Sequence, residues 1–415
     1  MTMKVLVLNS GSSSQKSCLY EIGETLPDDP PARLWEGKIE WAGDEAQFSV
    51  KNSGGVSRRN MISAGSRPEA IERLLESLWS GETRMVGSPA DIDVVGHRVV
   101  HGGPRYLEPS FVTDDVKAAI ESASTFAPLH NRAELQGMET VGKLLGRVRQ
   151  IAVFDTGFHR NLPPAAATYP GPYEWWEEGI RRYGFHGINH EYCALRAAQM
   201  LGRKLASLKL VTCHLGNGCS LAAIYGGHSV DTTMGFTPLD GLMMGTRSGS
   251  VDPGILTYLM RQKNFSGQQL DEMLNRKSGL LGISGISGDM REILSACKKG
   301  SEPGTRKRAK LALDIYVHRL QAGIGAMLAV LGGADAIVFT AGVGENSPEV
   351  RAAVCDKFAF LGLRLDSAGN EQPMADTDRD ISGRDATVRV FVIRAQEDWM
   401  IARECWNLIR MKQPA

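Results

Sequence analysis

Apolar residues in this chain come in short blocks that break abruptly into small polar residues. Val5–Leu8 runs into Asn9–Ser14, Leu210–Cys213 into His214–Ser220, and Ala336–Phe339 into Thr340–Ser347. The apolar runs predict buried strands, and the Gly, Ser and Asn stretches predict loops whose backbone N–H groups can face a phosphate. β-leaning segments at Leu34–Trp41 and Phe48–Val56 extend the first sheet, helical periodicity follows at Pro68–Trp79 and Asp114–Ser124, and strands are predicted at Ile92–Val95 and Ile151–Phe154. The Pro-rich, aromatic stretch Asn161–Trp176 reads as a long loop, either a lid or a contact between copies. Then the pattern starts over: strand 208–213, loop 214–220, strands near Ser220–Ile224 and His228–Asp231, then helices. That order predicts a structural duplication. The strongest helix is Arg306–Leu331, with Leu313, Val317, Leu320, Ile324, Met327 and Leu331 spaced as one core-facing stripe and Gly323 and Gly325 marking a close helix approach. A strand at Arg389–Ile393 and a helix at Glu397–Met411 come last.

At 415 residues the chain exceeds what one core usually serves, so two domains with a cleft between them are expected. We place the first at residues 1–155, completed by the C-terminal helix 398–415, and the second at 156–397. Lys and Arg balance Asp and Glu at 47 each, which excludes the general positive field of a nucleic-acid binder. An anionic ligand must therefore be met by a few local cations. Seven scattered Cys without a C-x-x-C pair suggest reduced thiols in a cytoplasmic protein. The longest apolar tract, Ile324–Phe339, is interrupted by Gly332, Gly333 and Asp335, so no membrane span is expected.

Eight of nine His lie between positions 97 and 228, a clustering that signals a site. The i,i+4 pairs His97/His101 and His186/His190 have zinc-ligand spacing, yet neighbouring glycines make helix unfavourable there and neither pair is H-E-x-x-H. Arg98 follows a strand that should deliver it to a sheet edge, and Arg247 sits in Gly245-Thr246-Arg247-Ser248-Gly249. A planar cation among glycines has room to reach a carboxylate or phosphate. Lys16 is a weaker candidate of the same kind. Asp155 and Glu397 each follow a predicted strand and could meet Mg²⁺, which needs only one or two carboxylates beside water and phosphate oxygens. There is no Walker P-loop and no strand ending in G-x-G-x-x-G. Gly279, Gly282, Gly285 and Gly288 recur every third residue before Asp289 and Arg291, and a Gly342/Gly344/Asn346 turn follows. These are either structural turns or places of close ligand approach.

Together these stretches closely resemble the acetate kinase family, within the acetate and sugar kinase, Hsp70 and actin superfold. The matching blocks are Asn9-Ser10-Gly11-Ser12-Ser13-Ser14, Gly96–Gly103, Ala127-Pro128-Leu129-His130-Asn131, Phe154-Asp155-Thr156, Tyr183–His190, Cys213–Ser220, Phe236–Pro253, Ser284–Arg291 and Phe339–Ser347. The resemblance implies an α/β, duplicated ribonuclease-H-like (actin-like ATPase) fold, two domains with a central cleft, and a homodimer. It implies that Asn9, Asp155 and Glu397 belong to the magnesium and phosphate region, with Mn²⁺ able to stand in. Arg98 and Arg247 become the clamp on substrate and transferring phosphoryl, with His186 and His130 beside them. ATP would meet Ser12, Ser14, Lys16, and a phosphate turn of His214, Leu215, Gly216, Asn217 and Gly218. Its adenosine would meet Asp289, Met290 and Arg291 together with Gly342, Val343, Gly344, Glu345 and Asn346. Val100, Leu129, Phe185 and Pro238 match a small apolar pocket for an acyl methyl group.

The chain departs from the family pattern at Ile188-Asn189, Cys219, Arg132 and Ala395-Gln396, while the chemical residues are kept. The implied reaction is reversible transfer of the γ-phosphoryl group of ATP to acetate, giving acetyl phosphate. Two alternatives stand beside it: propionate as the acceptor, and an actin- or Hsp70-like ATP-dependent binding protein, which would not need Arg98, Arg247 and a methyl-sized pocket.

Overall fold

The structure is a computed structural model and describes residues 2–11, 14–43, 45–63, 65–125, 130–298, 300–373 and 377–411. Ser12 and Leu129 lie outside the described residues. Two compact units form, one from Met1–Gly157 with Gln396–Ala415, the other from Phe158–Ala395.

In the first unit β1 (Met3–Ser10), β2 (Ser14–Ile22), β3 (Trp35–Ala42), β4 (Glu45–Asn52), β5 (Ser57–Ser63), β6 (Val94–Val99), β7 (Ser110–Phe111) and β8 (Arg149–Phe154) make one sheet ordered β5-β4-β3-β2-β1-β6-β8-β7. In the second, β9 (Lys209–Leu215), β10 (Cys219–Tyr225), β11 (His228–Thr232), β12 (Ala336–Thr340), β13 (Arg379–Asp380) and β14 (Arg389–Val392) are ordered β11-β10-β9-β12-β14-β13. Both sheets are mixed. The order β3-β2-β1-β6-β8-β7 repeats in the second unit strand for strand and direction for direction: an antiparallel meander, two parallel additions, then a short antiparallel edge. This is the duplicated ribonuclease-H-like, actin-like ATPase arrangement.

Period-two alternation decides which face of β1 meets what. Leu6 and Leu8 join Val95 in the core under the helices Arg67–Glu76 and Asn131–Leu145, through Ile71, Leu74, Val141 and Leu145. Val5, Val7 and Asn9 therefore face the opposite side, where the helix Glu397–Met411 packs on β1 and β6. Gly96 makes that approach possible, since a Cβ there would lie 2.6 Å from Cys405 Sγ and Ile401 Cγ2.

Several elements differ from expectation. Arg98 lies inside β6, between β1 and β8, and not at a sheet edge. Thr340–Ser347 is not a loop: Ala341–Asn346 is helical. Glu345 Oε1 accepts from the N–H groups of Ala341 and Ala395, both at 2.8 Å, and Arg351 donates to the Gly344 and Glu345 carbonyls, so tertiary partners satisfy both ends of this short helix. A helix, Gly187–Leu201, also starts directly after His186 despite the glycines. Here Gly187 occupies the first helical position, where its low propensity matters least, and the His186 carbonyl accepts from His190 N at 2.9 Å. Asn161–Trp176 carries short helices at Pro164–Ala167 and Glu174–Glu177. The long helix spans Pro303–Leu331, and its buried stripe runs through Ala309, Ala312, Tyr316, Leu320, Ile324, Met327 and Leu331, so the expected core face holds from Leu320 onward. Leu313 and Val317 instead line a cavity of about 290 Å³ with Lys310, His318 and Glu349. Gly323 sits against Leu221 of β10, where a Cβ would be 2.8 Å from Cδ1, whereas Gly325 has open space.

Candidate functional site

In the first unit the chemistry gathers at the C-terminal ends of parallel strands. Registers pair Arg98 with Val153, two residues before Asp155, so Arg98 and Asp155 share a sheet face. Asn9 lies on that same face of β1, opposite Lys16 across the β1–β2 hairpin. Glu397 opens the helix packed over it. Arg98 Nη2 donates to Asp155 Oδ2 at 2.8 Å, its Nε lies 3.8 Å from Glu397 Oε2, and Asn9 Nδ2 donates to Glu397 Oε2 at 3.3 Å. Asp155 is only 1% exposed. Burial works against the Arg98 charge, but Asp155 and Glu397 more than reverse this and hold its pKa above the ordinary guanidinium value. Val100 is buried beside this group, and His130 is half-buried just before the Asn131–Leu145 helix.

The second unit holds a different kind of site. β9 and β10 form a hairpin whose tip is Gly216-Asn217-Gly218, with Leu215 turned into the core. His186 and His214 stack with ring centroids 4.0 Å apart and planes 13° from parallel. A Cβ on Gly218 would lie 3.3 Å from His186 Nε2 and 3.5 Å from Arg247 Nη1, and one on Gly216 would lie 3.4 Å from His214 Nε2. Three nitrogen-bearing edges thus flank a turn where a Cβ would be tightly held. His186 adopts φ 56°, ψ 23°, a left-handed conformation that costs a non-glycine residue about 1–2 kcal/mol, so the imidazole is held there against local preference.

Arg247 is half-buried and donates to the Pro238 carbonyl at 2.9 Å and to Met244 Sδ at 3.7 Å. No carboxylate among the described residues pairs with it, and desolvation pulls its pKa below the ordinary guanidinium value. Such a cation favours an incoming anion. Phe185 is buried, its carbonyl accepting from His159 Nε2 at 3.2 Å.

The adenosine candidates fall in the same unit. Asp289 caps the Met290–Ala296 helix through Arg291 N at 2.8 Å and forms an exposed side-chain pair with Arg291, while Met290 is buried. Gly342 and Asn346 are exposed on the Ala341–Asn346 helix, joined by Asn346 Nδ2 to the Gly342 carbonyl at 2.9 Å.

Sequence reasoning missed Glu134. Its carboxylate is 1% exposed and accepts from Val100 N at 3.2 and 3.1 Å, next to Arg98. The signal was available: Glu134, Met138, Val141 and Leu145 form one i, i+4, i+7, i+11 stripe, with an acid where an apolar residue is expected. Burial pushes the Glu134 carboxyl up to about 8, with Arg98 opposing. Between the ordinary 4.5 and 8 the folded chain alone keeps this proton, so Glu134 makes stability fall as pH rises through that window. Buried His97, His101 and His159, each lowered to about 4 by desolvation, act in the other direction and reduce stability as pH drops below 6.5. Glu134→Gln should therefore flatten the decline of melting temperature from pH 6.5 to 8 and steepen its rise from pH 4.5 to 6.5, where Glu134 no longer opposes the histidines; an unchanged alkaline limb would refute the assignment.

The model of the Acetokinase family matches residues 4–403. An acetate kinase of Gloeobacter violaceus is 59% identical over 414 residues, covering 98% of this chain and all of its own length. The crystal structure of Porphyromonas gingivalis acetate kinase superposes with a TM-score of 0.88 at 39% identity, covering 98% of this chain and 100% of its own. A propionate kinase from Francisella tularensis gives 0.86 at 35% identity over 97% and 98% of the two chains. With ATP or ADP as co-substrate and a carboxyl group as phosphoryl acceptor, the chain belongs to the acetokinase family.

Proposed function

We propose that this chain transfers the γ-phosphoryl group of ATP reversibly to acetate by direct in-line displacement. The observation that carries the reading is Arg247: a cation without a carboxylate partner among the described residues, set with His186 and His214 around a glycine turn. A carboxylate acceptor, with a pKa of about 4–5, is already ionised at neutral pH, so no general base is required. The barrier is repulsion between two anions. Arg247 and the imidazole N–H groups stabilise charge on the phosphoryl oxygens, and Arg98, held by Asp155, orients the acceptor. Phe185 and Pro238, both in the second unit, offer apolar surface for the acyl methyl.

Asn9, Asp155 and Glu397 suit Mg²⁺ by donor type. They are hard oxygen ligands with two carboxylates against one arginine, and a phosphate-borne Mg²⁺ needs no more than one or two carboxylates. When bound, the ion would neutralise phosphate charge; among the described residues no three His, Cys, Asp or Glu gather into a closed metal site.

A hydroxylamine-trapping assay with ATP, Mg²⁺ and formate, acetate, propionate and butyrate tests the reading. Acetate should give the highest kcat/KM, with propionate within about 10–200-fold, since one methylene is worth about 1–3 kcal/mol. Propionate in first place would favour the activity named for the Francisella structure. ATP hydrolysis without trapped acyl phosphate would overturn the kinase reading.

The proposed assembly is a homodimer through the Pro253–Lys263 helix, which has no buried residue and exposes Ile255, Tyr258 and Met260. Eleven residues are too few for a stable isolated helix. Asp252 caps one end while Arg261 and Lys263 occupy the other, so an antiparallel copy across a twofold axis pairs opposite charges at both ends. Sedimentation should show a dimer, and Tyr258→Glu a monomer; a monomeric wild type would refute this. The proposed compartment is the cytoplasm, in keeping with free cysteines and with no described helix long and apolar enough to cross a membrane.

A further inference from the structure

Of the two stacked imidazoles, His186 has a hydrogen-bond partner at Nδ1 whose direction can be traced. Thr212, His190 and Ser220 are fully buried. Thr212 Oγ1 lies 2.7 Å from His190 Nδ1, and among the described residues no other partner for this hydroxyl is found. A buried hydroxyl proton must be accepted somewhere, so Thr212 donates to His190 Nδ1. The neutral His190 ring then carries its proton on Nε2 and donates it to Ser220 Oγ, 2.8 Å away. The single Ser220 proton is left to donate to His186 Nδ1 at 2.9 Å. His186 consequently bears its own proton on Nε2, the edge that faces Gly218.

His214 Nδ1 lies 2.9 Å from the Asn189 amide, which also meets the buried Thr340 hydroxyl at 3.3 Å. The Nε2 edge of His214 faces Gly216.

We propose that Thr212, His190 and Ser220 are positioning residues that hold His186 as a neutral Nε2–H donor stacked on His214. Their purpose rests on the reading of the 214–220 turn as the phosphate site; the tautomer does not. Two imidazolium rings stacked at 4.0 Å would repel, and a neutral His186 avoids that penalty while still presenting an N–H.

Histidine ¹⁵N spectra of the intact protein at neutral pH test the tautomers without turnover. His186 should show a pyrrole-like Nε2 and a pyridine-like Nδ1; an Nδ1–H tautomer or an imidazolium in this ring overturns the proposal. Thr212→Val should mix the His186 tautomers and lower kcat about tenfold, and Thr212→Ser should restore both. Tautomers that shift while turnover stays within about twofold would refute the positioning role. Failure of the wild type to make acyl phosphate would refute the kinase reading and leave the spectra to decide this one; they decide it as well for any variant that does not fold.

Discussion

Arg247→Ala is expected to lower kcat by about 100- to 1,000-fold while leaving the melting temperature unchanged or raised. Activity and stability separate here because of what Arg247 touches. Its contacts are a carbonyl and a thioether, with no acid among the described residues to leave unpaired when it goes. Its desolvation, visible in a lowered pKa, is an unfavourable contribution to folding that alanine removes. The loss should therefore appear in phosphoryl transfer alone, measured by hydroxamate formation alongside thermal melting. A large fall in melting temperature would show that the residue is structural.

Arg98→Ala should behave differently, losing activity to a similar degree and about 3–5 kcal/mol of stability as well. Asp155 is 1% exposed and bonded to Arg98 at 2.8 Å, so the variant takes a charge-assisted hydrogen bond away from a buried carboxylate. Glu397 faces the same guanidinium at 3.8 Å and loses it too. The double variant Arg98→Ala/Asp155→Ala should recover much of the stability and none of the turnover. Denaturant unfolding of the set measures this; an Arg98→Ala protein as stable as wild type would mean that the pair contributes nothing to the fold.

The strands were legible because their apolar runs are local and long enough to exclude other structures. β1, β9 and β12 lie where Val5–Leu8, Leu210–Cys213 and Ala336–Phe339 predict them. The breaks that follow were read less well. One holds a hairpin tip at Gly216-Asn217-Gly218 and one joins the antiparallel β1 and β2, but the third is the Ala341–Asn346 helix, stabilised by Glu345 reaching Ala395 and by Arg351, partners that no local window contains. The 3–4 spacing in Pro303–Leu331 was correct as helix and, at Leu320, Ile324, Met327 and Leu331, as the buried face; Leu313 and Val317 fall off it, because which residues are buried depends on what packs against them.

By itself the sequence determined the residue chemistry: two arginines among small residues, carboxylates after strands, glycines in turns, and through their combination the acetokinase family. Only the tertiary structure decided which of these act as groups. Strand register and period-two alternation bring Asn9, Arg98, Asp155 and Glu397 to one face, although hundreds of residues separate them. The raised pKa of Glu134 and the placement of the proton on His186 follow from burial and from hydrogen bonds between distant segments. Side-chain identity is written locally, whereas desolvation and the direction of a buried hydrogen bond are set by neighbours that only folding assembles.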